Sequence, residues 1–445
     1  MKFNKQIIFS LLFLVTVMFG GFLSNPYSTQ AEASLNLNAE SAILVDFETG
    51  KILYAKNPDA TIPPASMTKM MTEYIVLEKI NNGELSWDTT TQISDYAYSI
   101  SANEAFSGVG LKQDQDYTVK ELYEAMAINS DNATTVALAE LIAGSEGEFV
   151  KLMNEKAEEM GLTEYKFVNS TGLDNADLDG NHPEGTEADD LNLLSARSTA
   201  LLAYHLVHDF PEVLETSSIP EMTFAGQTIR NWNWMLPHDA TFLEQFYYEG
   251  IDGLKTGYTE SGGNSFTGTA IRNGNRLISV VMRTDSKEER FEETAKLLDY
   301  GFNNFQNEEL FPSGYQLEDQ TSLPVTKGKE DSVNISLGES ITIPIKTDEA
   351  DLYTVKYHFD KEKLNEDGEL TAPIGKGEVV GKAELIYNGD NDYGFITDNN
   401  KGTVPIVTDA AVEKSNWFML MLGAIGDFFA NIFTAAVDWI AGLFS

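Results

Sequence analysis

Three short runs of this sequence carry residue types that could make and break an acyl bond. In Ser66-Met67-Thr68-Lys69 a hydroxyl and an amine stand three residues apart, which on a helix puts both side chains on one face. A serine attacks a carbonyl only when a base removes its proton, and a lysine is such a base only when neutral. Burial beside a second cation favours that neutral form. Pro63-Pro64 just upstream place Ser66 in the first turn of the predicted helix, where unpaired backbone N–H groups and the helix dipole favour developing negative charge. This is the only Ser-x-x-Lys in the chain. The second run, Ser130-Asp131-Asn132, falls between two predicted helices, where side chains can be offered to a cleft. The third, Lys255-Thr256-Gly257, falls on a predicted strand. There a cation and a hydroxyl suit a substrate carboxylate, and the glycine lets a peptide lie against the strand edge.

The elements that must hold these runs are legible from periodicity. Two short strands are expected within Ser41–Tyr54 around a turn at Glu48-Thr49-Gly50. Helical spacing of Met67, Met70, Met71, Tyr74 and Leu77 predicts a helix from Ser66 to about Ile80. A helix is expected from Val119 to about Ile128, and Asp131 can cap another that runs to about Ile142 and stops at Gly144. A further helix covers Ser195–His208. Strands follow at Gly253–Gly257, Asn264–Arg272 and Arg276–Arg283, the last two joined through Asn273-Gly274-Asn275, and a helix at about Lys287–Asn303 closes the series. This order predicts an α/β (α+β) domain over residues 34–310, an antiparallel sheet flanked by helices. Beyond Phe311-Pro312 the pattern turns to strand alternation (Ser340–Lys346, Leu352–His358, Lys382–Tyr387), which predicts a small all-β C-terminal domain over residues 311–412.

Both ends differ from the body of the chain. Lys2 and Lys5, the apolar run Ile7–Phe22 and the small residues of Ala31-Glu32-Ala33 read as a signal peptide over residues 1–33, cleaved after Ala33. At the other end, the only charges between Trp417 and Phe444 are Asp427 and Asp438. With Asn431 and Thr434 they step by four, three and four, so they share one helical face. Residues 413–445 therefore read as an amphipathic helix lying in a membrane interface, not as a span that would drag carboxylates through hydrocarbon. An exported chain anchored at the outer face of the cytoplasmic membrane is the expectation.

The formal net charge of −39 repels nucleic acid, so no nucleic-acid partner is expected, and attachment to a membrane surface would have to be hydrophobic. The absence of cysteine excludes thiol catalysis, disulfides and a lipid-modified cysteine. Five histidines offer no His-Glu-x-x-His pattern, and His205 with His208 reads as a packing or solvated pair. Neither a metal nor a cofactor is expected.

The order and spacing of the three runs resemble the penicillin-binding protein and serine β-lactamase superfamily. Ala42-Ile43-Leu44-Val45-Asp46, Pro64-Ala65-Ser66-Met67-Thr68-Lys69-Met70-Met71, Asn169-Ser170-Thr171-Gly172-Leu173, Ser195-Ala196-Arg197 and Asp252-Gly253-Leu254-Lys255-Thr256-Gly257 look like its low-molecular-mass D-alanyl-D-alanine carboxypeptidases. The resemblance implies a serine D-Ala-D-Ala carboxypeptidase acting on peptidoglycan pentapeptide stems and acylated by β-lactams. It further implies that Ser66 forms the acyl-enzyme, Lys69 is the general base and Ser130 passes a proton to the departing D-alanine. Asn132 would bond the substrate amide, while Lys255 and Thr256 would hold its terminal carboxylate. Gly257 would line the strand edge, and the backbone N–H groups of Ser66 and Tyr258 would form the oxyanion hole. Asp131 stands where these carboxypeptidases commonly have glycine and class A β-lactamases have aspartate. A β-lactamase of that class needs a deacylating glutamate four residues before an asparagine; the nearest candidate, Glu187 with Asn192, is out of register by one. A non-catalytic wall or β-lactam sensor would keep Ser66 and Lys69, but a spanning helix and a partner domain are not evident.

Overall fold

The computed structural model describes residues 35–390, 392–397 and 402–416; the expected signal peptide and the expected amphipathic segment from Trp417 onward lie outside them. The main sheet is built from β1 (Ser41–Asp46), β2 (Ile52–Lys56), β3 (Ile251–Thr259), β4 (Gly263–Arg272) and β5 (Asn275–Thr284). They pair antiparallel in the order β2-β1-β5-β4-β3. Every residue of β1 is buried, because helices cover both faces of the sheet. Side chains alternate between the faces along a strand. Ile43, Val45, Ile278, Val280 and Met282 join one large helical core, whereas Leu44 and Leu277 pack on Gly301 of the opposite helix.

Five helices surround the sheet and the cleft: α1 (Lys69–Asn81), α2 (Val119–Asn129), α3 (Asn132–Ala143), α4 (Ala196–Asp209) and α5 (Lys287–Asn304). Their ends follow from capping. Thr118 and Glu121 form a reciprocal box at the start of α2, Asp131 accepts from the Thr134 N–H at the start of α3, and Gly144 ends that helix in the left-handed region at φ 82°. Ser195 and Ser286 cap α4 and α5 in the same manner. The expected helix from Ser66 is two pieces. A four-residue 3-10 turn, Ala65–Thr68, precedes α1, so Ser66 sits in the tighter turn and Lys69 opens the α-helix. The reason is lateral crowding. A Cβ on Gly172 would lie 1.8 Å from the Ala65 carbonyl oxygen, and one on Gly257 would lie 2.4 Å from that of Pro64. Backbone from two distant segments thus pins the turn, with Ala65 at φ 50°.

The all-β part forms a six-stranded sheet in the order Tyr353–Phe359, Val379–Tyr387, Thr403–Thr408, Ser332–Leu337, Ser322–Thr326 and Leu370–Thr371. Tyr353, Val355 and Tyr357 face its core while the residues between them are exposed, the period-two pattern of a half-buried strand. Phe305–Phe311 leaves α5 directly and pairs with Ile341–Lys346, so strand structure of this second core begins at residue 305. A loop from the same part reaches back: the Ile396 N–H donates to the Gly50 carbonyl at 2.7 Å, and Ile396 is buried in the large helical core. Among the described residues no helix is long and apolar enough to cross a membrane.

Gly172 has φ +85°, and its side-chain position is filled by the Ala65 carbonyl. Gly172→Ala is therefore expected to destabilise the chain by at least about 2 kcal/mol, from the positive φ and the forced movement of the 3-10 turn together. A thermal melt of the variant beside the parent checks it.

Candidate active site

The 3-10 turn decides the first contact. Side chains at i and i+3 eclipse in such a turn, and the Lys69 Nζ lies 3.1 Å from the Ser66 Oγ. Lys69 is fully buried, and its nitrogen has two further partners: the Asn132 Oδ1 at 2.8 Å and the Thr171 carbonyl at 2.7 Å. Both are acceptors, so they take two N–H bonds. On a neutral amine the remaining lone pair then faces the Ser66 hydroxyl. Burial first, and the charge of Lys255 second, hold the Lys69 amine well below the ordinary lysine range; Asp131, Glu73 and Glu146 pull the other way.

Each partner of Lys69 is itself fixed. Thr171 belongs to Asn169-Ser170-Thr171-Gly172, whose Asn169 Oδ1 accepts from the Gly172 N–H at 2.7 Å and from the Asn192 amide at 2.9 Å. The buried Glu146 carboxylate accepts from both the N–H and the hydroxyl of Ser170, and the Thr72 hydroxyl of α1 donates to the Ser170 carbonyl. Asn132 is the first residue of α3, and its Nδ2 donates to the Ser107 carbonyl at 3.2 Å.

Asp131 has a structural part to play. Its Oδ1 caps α3 through the Thr134 N–H at 2.6 Å, and its Oδ2 accepts from the Val109 N–H at 2.5 Å. One buried carboxylate thus joins the start of α3 to the 105–109 segment on the far wall of the cleft. Ser130 precedes it in the left-handed region at φ 62°, with a buried hydroxyl that has no hydrogen-bond partner.

The sequence-predicted residues converge on one cleft. Ser66, Ser130, Asn132, Thr256 and Tyr258 line it, and Lys69 lies beneath. Lys255 is buried under the same floor, and burial lowers its amine, with Arg290 adding to the effect and Glu73 opposing it. Gly257 is packed too closely on Pro64 to admit any side chain. Its strand β3 is the free edge of the sheet and lies along the nucleophile turn.

Several residues at the cleft were not singled out from the sequence, among them Phe106, Trp232, Lys287 and Arg290. Arg290 lines the cleft, is buried, and donates from Nη1 to the Gly257 carbonyl at 3.1 Å; burial lowers its guanidinium to about 10. Its only local signal is Lys287 one turn earlier on α5. Glu73 is 3% exposed, and its only signal is a position four residues after Lys69. By contrast, Glu187 is exposed and does not line this cleft. His205 and His208 lie on α4, where both address Asp209 and flank Tyr204. Among the described residues no cluster of three or more histidine and acidic side chains is placed to hold a metal.

A helix-borne serine–lysine pair under an edge strand, in an antiparallel sheet covered by helices, defines the penicillin-binding and serine β-lactamase-like fold. The family model for D-alanyl-D-alanine carboxypeptidase matches residues 27–286, and that for the penicillin-binding protein 5 C-terminal domain matches residues 305–414. The chain is 31% identical over 422 residues to the D-alanyl-D-alanine carboxypeptidase DacF of Bacillus subtilis, covering 93% of this chain and 97% of that one. Among solved structures, a peptidoglycan synthesis regulatory factor (PBP3) from Streptococcus pneumoniae is 35% identical with a TM-score of 0.66, covering 84% of this chain and 99% of the other. Penicillin-binding protein D2 from Listeria monocytogenes, solved in an ampicillin-bound form, is 33% identical with a TM-score of 0.51 over 60% of this chain and 99% of its own. This chain belongs to the D-alanyl-D-alanine carboxypeptidase family.

Asp131→Ala removes a helix cap and the tie to Val109 together. The expected cost is about 2–3 kcal/mol of stability, with slower β-lactam acylation because Asn132 and the 105–109 wall lose their common anchor. Thermal melts and the second-order acylation rate measure the two effects.

Proposed function

We propose that this chain is a serine D-Ala-D-Ala carboxypeptidase that removes the terminal D-alanine from peptidoglycan pentapeptide stems through an acyl-enzyme on Ser66. The observation that carries the reading is the Lys69 amine, with two N–H bonds taken by carbonyl oxygens and Ser66 Oγ as its third neighbour. The neutral amine takes the Ser66 proton as Oγ attacks the carbonyl between the two D-alanines. The oxyanion that forms is held by the backbone N–H groups of Ser66 and Tyr258. Ser130, its hydroxyl otherwise unpartnered, relays a proton to the leaving amine. Asn132 bonds the substrate's peptide amide, and Lys255 with Thr256 receives the terminal carboxylate at the edge of β3. Water then enters as the second nucleophile, and the same amine deprotonates it. A β-lactam offers a strained amide and a carboxylate in the same places, so it acylates Ser66 as the substrate does.

The domain reading accompanies this function: catalytic residues 34–310, the all-β domain over 311–412, a signal peptide over 1–33 and an interfacial helix in the tail. Residues 413–416, expected within that helix, are instead extended and bonded to the all-β part, the Lys329 N–H donating to the Glu413 carbonyl and the Ser415 N–H to that of Lys327. Export to the outer face of the cytoplasmic membrane follows from the basic and apolar N-terminal run, and hydrophobic anchoring from the aspartates sharing one face of the tail.

Ser66→Ala is expected to abolish both D-alanine release from a D-Ala-D-Ala pentapeptide and covalent labelling by a fluorescent penicillin. Labelling that survives the substitution would refute Ser66 as the nucleophile. For the tail, the full chain should stay with membranes in high salt and leave them in detergent, and truncation before Asn416 should yield a soluble enzyme of full activity. Release by salt alone would show that hydrophobic anchoring is wrong.

A further inference from the structure

Trp232 and Tyr258 are among the large aromatic side chains that this chain leaves exposed, at 38% and 55%, and both line the cleft. Single exposed aromatics need no account, but two that meet at one pocket mark a contact surface. Lys287, the first residue of α5, stands between them. Its Nζ lies 5.8 Å from the centroid of the indole and 5.6 Å from that of the phenol ring, within the range where an ammonium is attracted to an aromatic face. The indole is also held from behind. Its Nε1 donates to the Asn129 carbonyl at 2.9 Å, and the Asn129 Nδ2 donates to the Arg230 carbonyl at 3.2 Å. Asn231 adds two bonds, from Nδ2 to the Ser217 and Ile219 carbonyls at 3.0 Å each. Trp232 is thus a fixed wall.

The neighbours of this wall locate it relative to the reacting bond. Asn129 is followed by Ser130, which faces the leaving amine in the acyl-transfer reading above. Tyr258 lies two residues past Thr256 on the same face of β3, and Thr256 receives the terminal carboxylate. Lys287 precedes by one turn Arg290, whose Nη1 reaches the Gly257 carbonyl at 3.1 Å. All three side chains therefore stand at the leaving-residue end. The acyl end is marked by Asn132, whose Nδ2 donates to the Ser107 carbonyl beside Phe106. The cleft is small, about 150 Å³, and both Trp232 and Lys287 are exposed on their outer side. These side chains, not the protein core, end the cleft there.

We infer that Trp232, Lys287 and Tyr258 form the specificity-determining wall for the leaving residue, admitting one small terminal residue with its carboxylate and turning away a larger one. The inference rests on the acyl-transfer reading. Trp232 sets the depth of the pocket. Lys287 holds indole and phenol as one surface, and its ammonium adds positive charge at the end where the carboxylate lies. A leaving residue with a longer side chain, or one that continues into a second peptide as in a cross-link, has to displace a ring bonded to Asn129. The wall thus restricts the site to trimming a free D-alanine end.

The test uses the full-length protein and two peptides. It compares release of D-alanine from a pentapeptide ending in D-Ala-D-Ala with release of D-leucine from the same peptide ending in D-Ala-D-Leu. The parent is expected to favour the first in kcat/KM. Trp232→Ala should cut that preference by about tenfold or more, the scale on which a pocket discriminates between apolar groups of different size. Trp232→Phe, which keeps an aromatic wall, should retain most of it. The ratio is the readout, because a general loss of activity lowers both rates together. A Trp232→Ala enzyme with an unchanged ratio overturns the proposal, as does a parent that takes both peptides equally well. Lys287→Ala truncates an exposed side chain, is expected to move the ratio the same way, and decides the question if Trp232→Ala does not fold. If the parent is acylated by β-lactams but releases neither amino acid, the carboxypeptidase reading fails. The wall is then judged by the acylation rate of a cephalosporin bulky beside its ring carboxylate relative to one carrying a methyl there. Trp232→Ala should raise that ratio, and no change in it overturns the proposal.

Discussion

A lysine amine can accept a proton from serine only if it is kept from being an ammonium, and the interior around Lys69 is arranged to that end. Burial removes the water that would stabilise the charge, and Lys255 adds repulsion. The two carbonyl acceptors then orient what remains, since an amine with two N–H bonds directed at Asn132 and Thr171 turns its lone pair towards Ser66. Nothing in this depends on a strong single contact. It depends on three backbone segments meeting at one nitrogen, and much of the surrounding structure serves to make them meet.

That dependence gives several otherwise ordinary residues a purpose. Asn169, Asn192 and Glu146 hold a tight turn so that one carbonyl, that of Thr171, points at Lys69. Gly172 and Gly257 permit backbone to touch backbone at Ala65 and Pro64, closer than any side chain would allow. Asp131 ends one wall of the cleft and begins another. Its carboxylate makes these bonds inside the fold, to the Thr134 and Val109 N–H groups.

Electrostatics set the cleft apart from the rest of the chain. The sequence carries a formal charge of −39, yet Lys69, Lys255 and Arg290 crowd beneath and beside one serine. The charges of Lys255 and Arg290 are costly to bury there, whereas Lys69 avoids that cost by staying neutral. The positive charge of those two suits the cleft to an anionic group. The carboxylates that offset it, Glu73, Asp131 and Glu146, are all buried within the same region, so the balance is struck locally.

The sequence by itself determined whatever rests on short-range spacing. Ser66 and Lys69 three residues apart, Asp131 as a helix cap, the Asn273-Gly274-Asn275 hairpin and the alternating strands of the all-β part could be read because their geometry is set within a turn or a strand pair. The three motifs, taken together, also named Ser66, Ser130, Asn132 and Thr256, which line the cleft. The tertiary structure decided the remainder. Thr171 and Asn132 reach Lys69 from 102 and 63 residues away, and no local rule encodes such a meeting. The 3-10 turn at Ser66 departs from the expected helix because Gly172 and Gly257 press on it from distant strands and loops. Arg290 and Glu73 look like ordinary helical charges in sequence. They become part of the site only because the fold buries them beside Lys255, where the loss of water makes charge act over distances that solvent would otherwise screen.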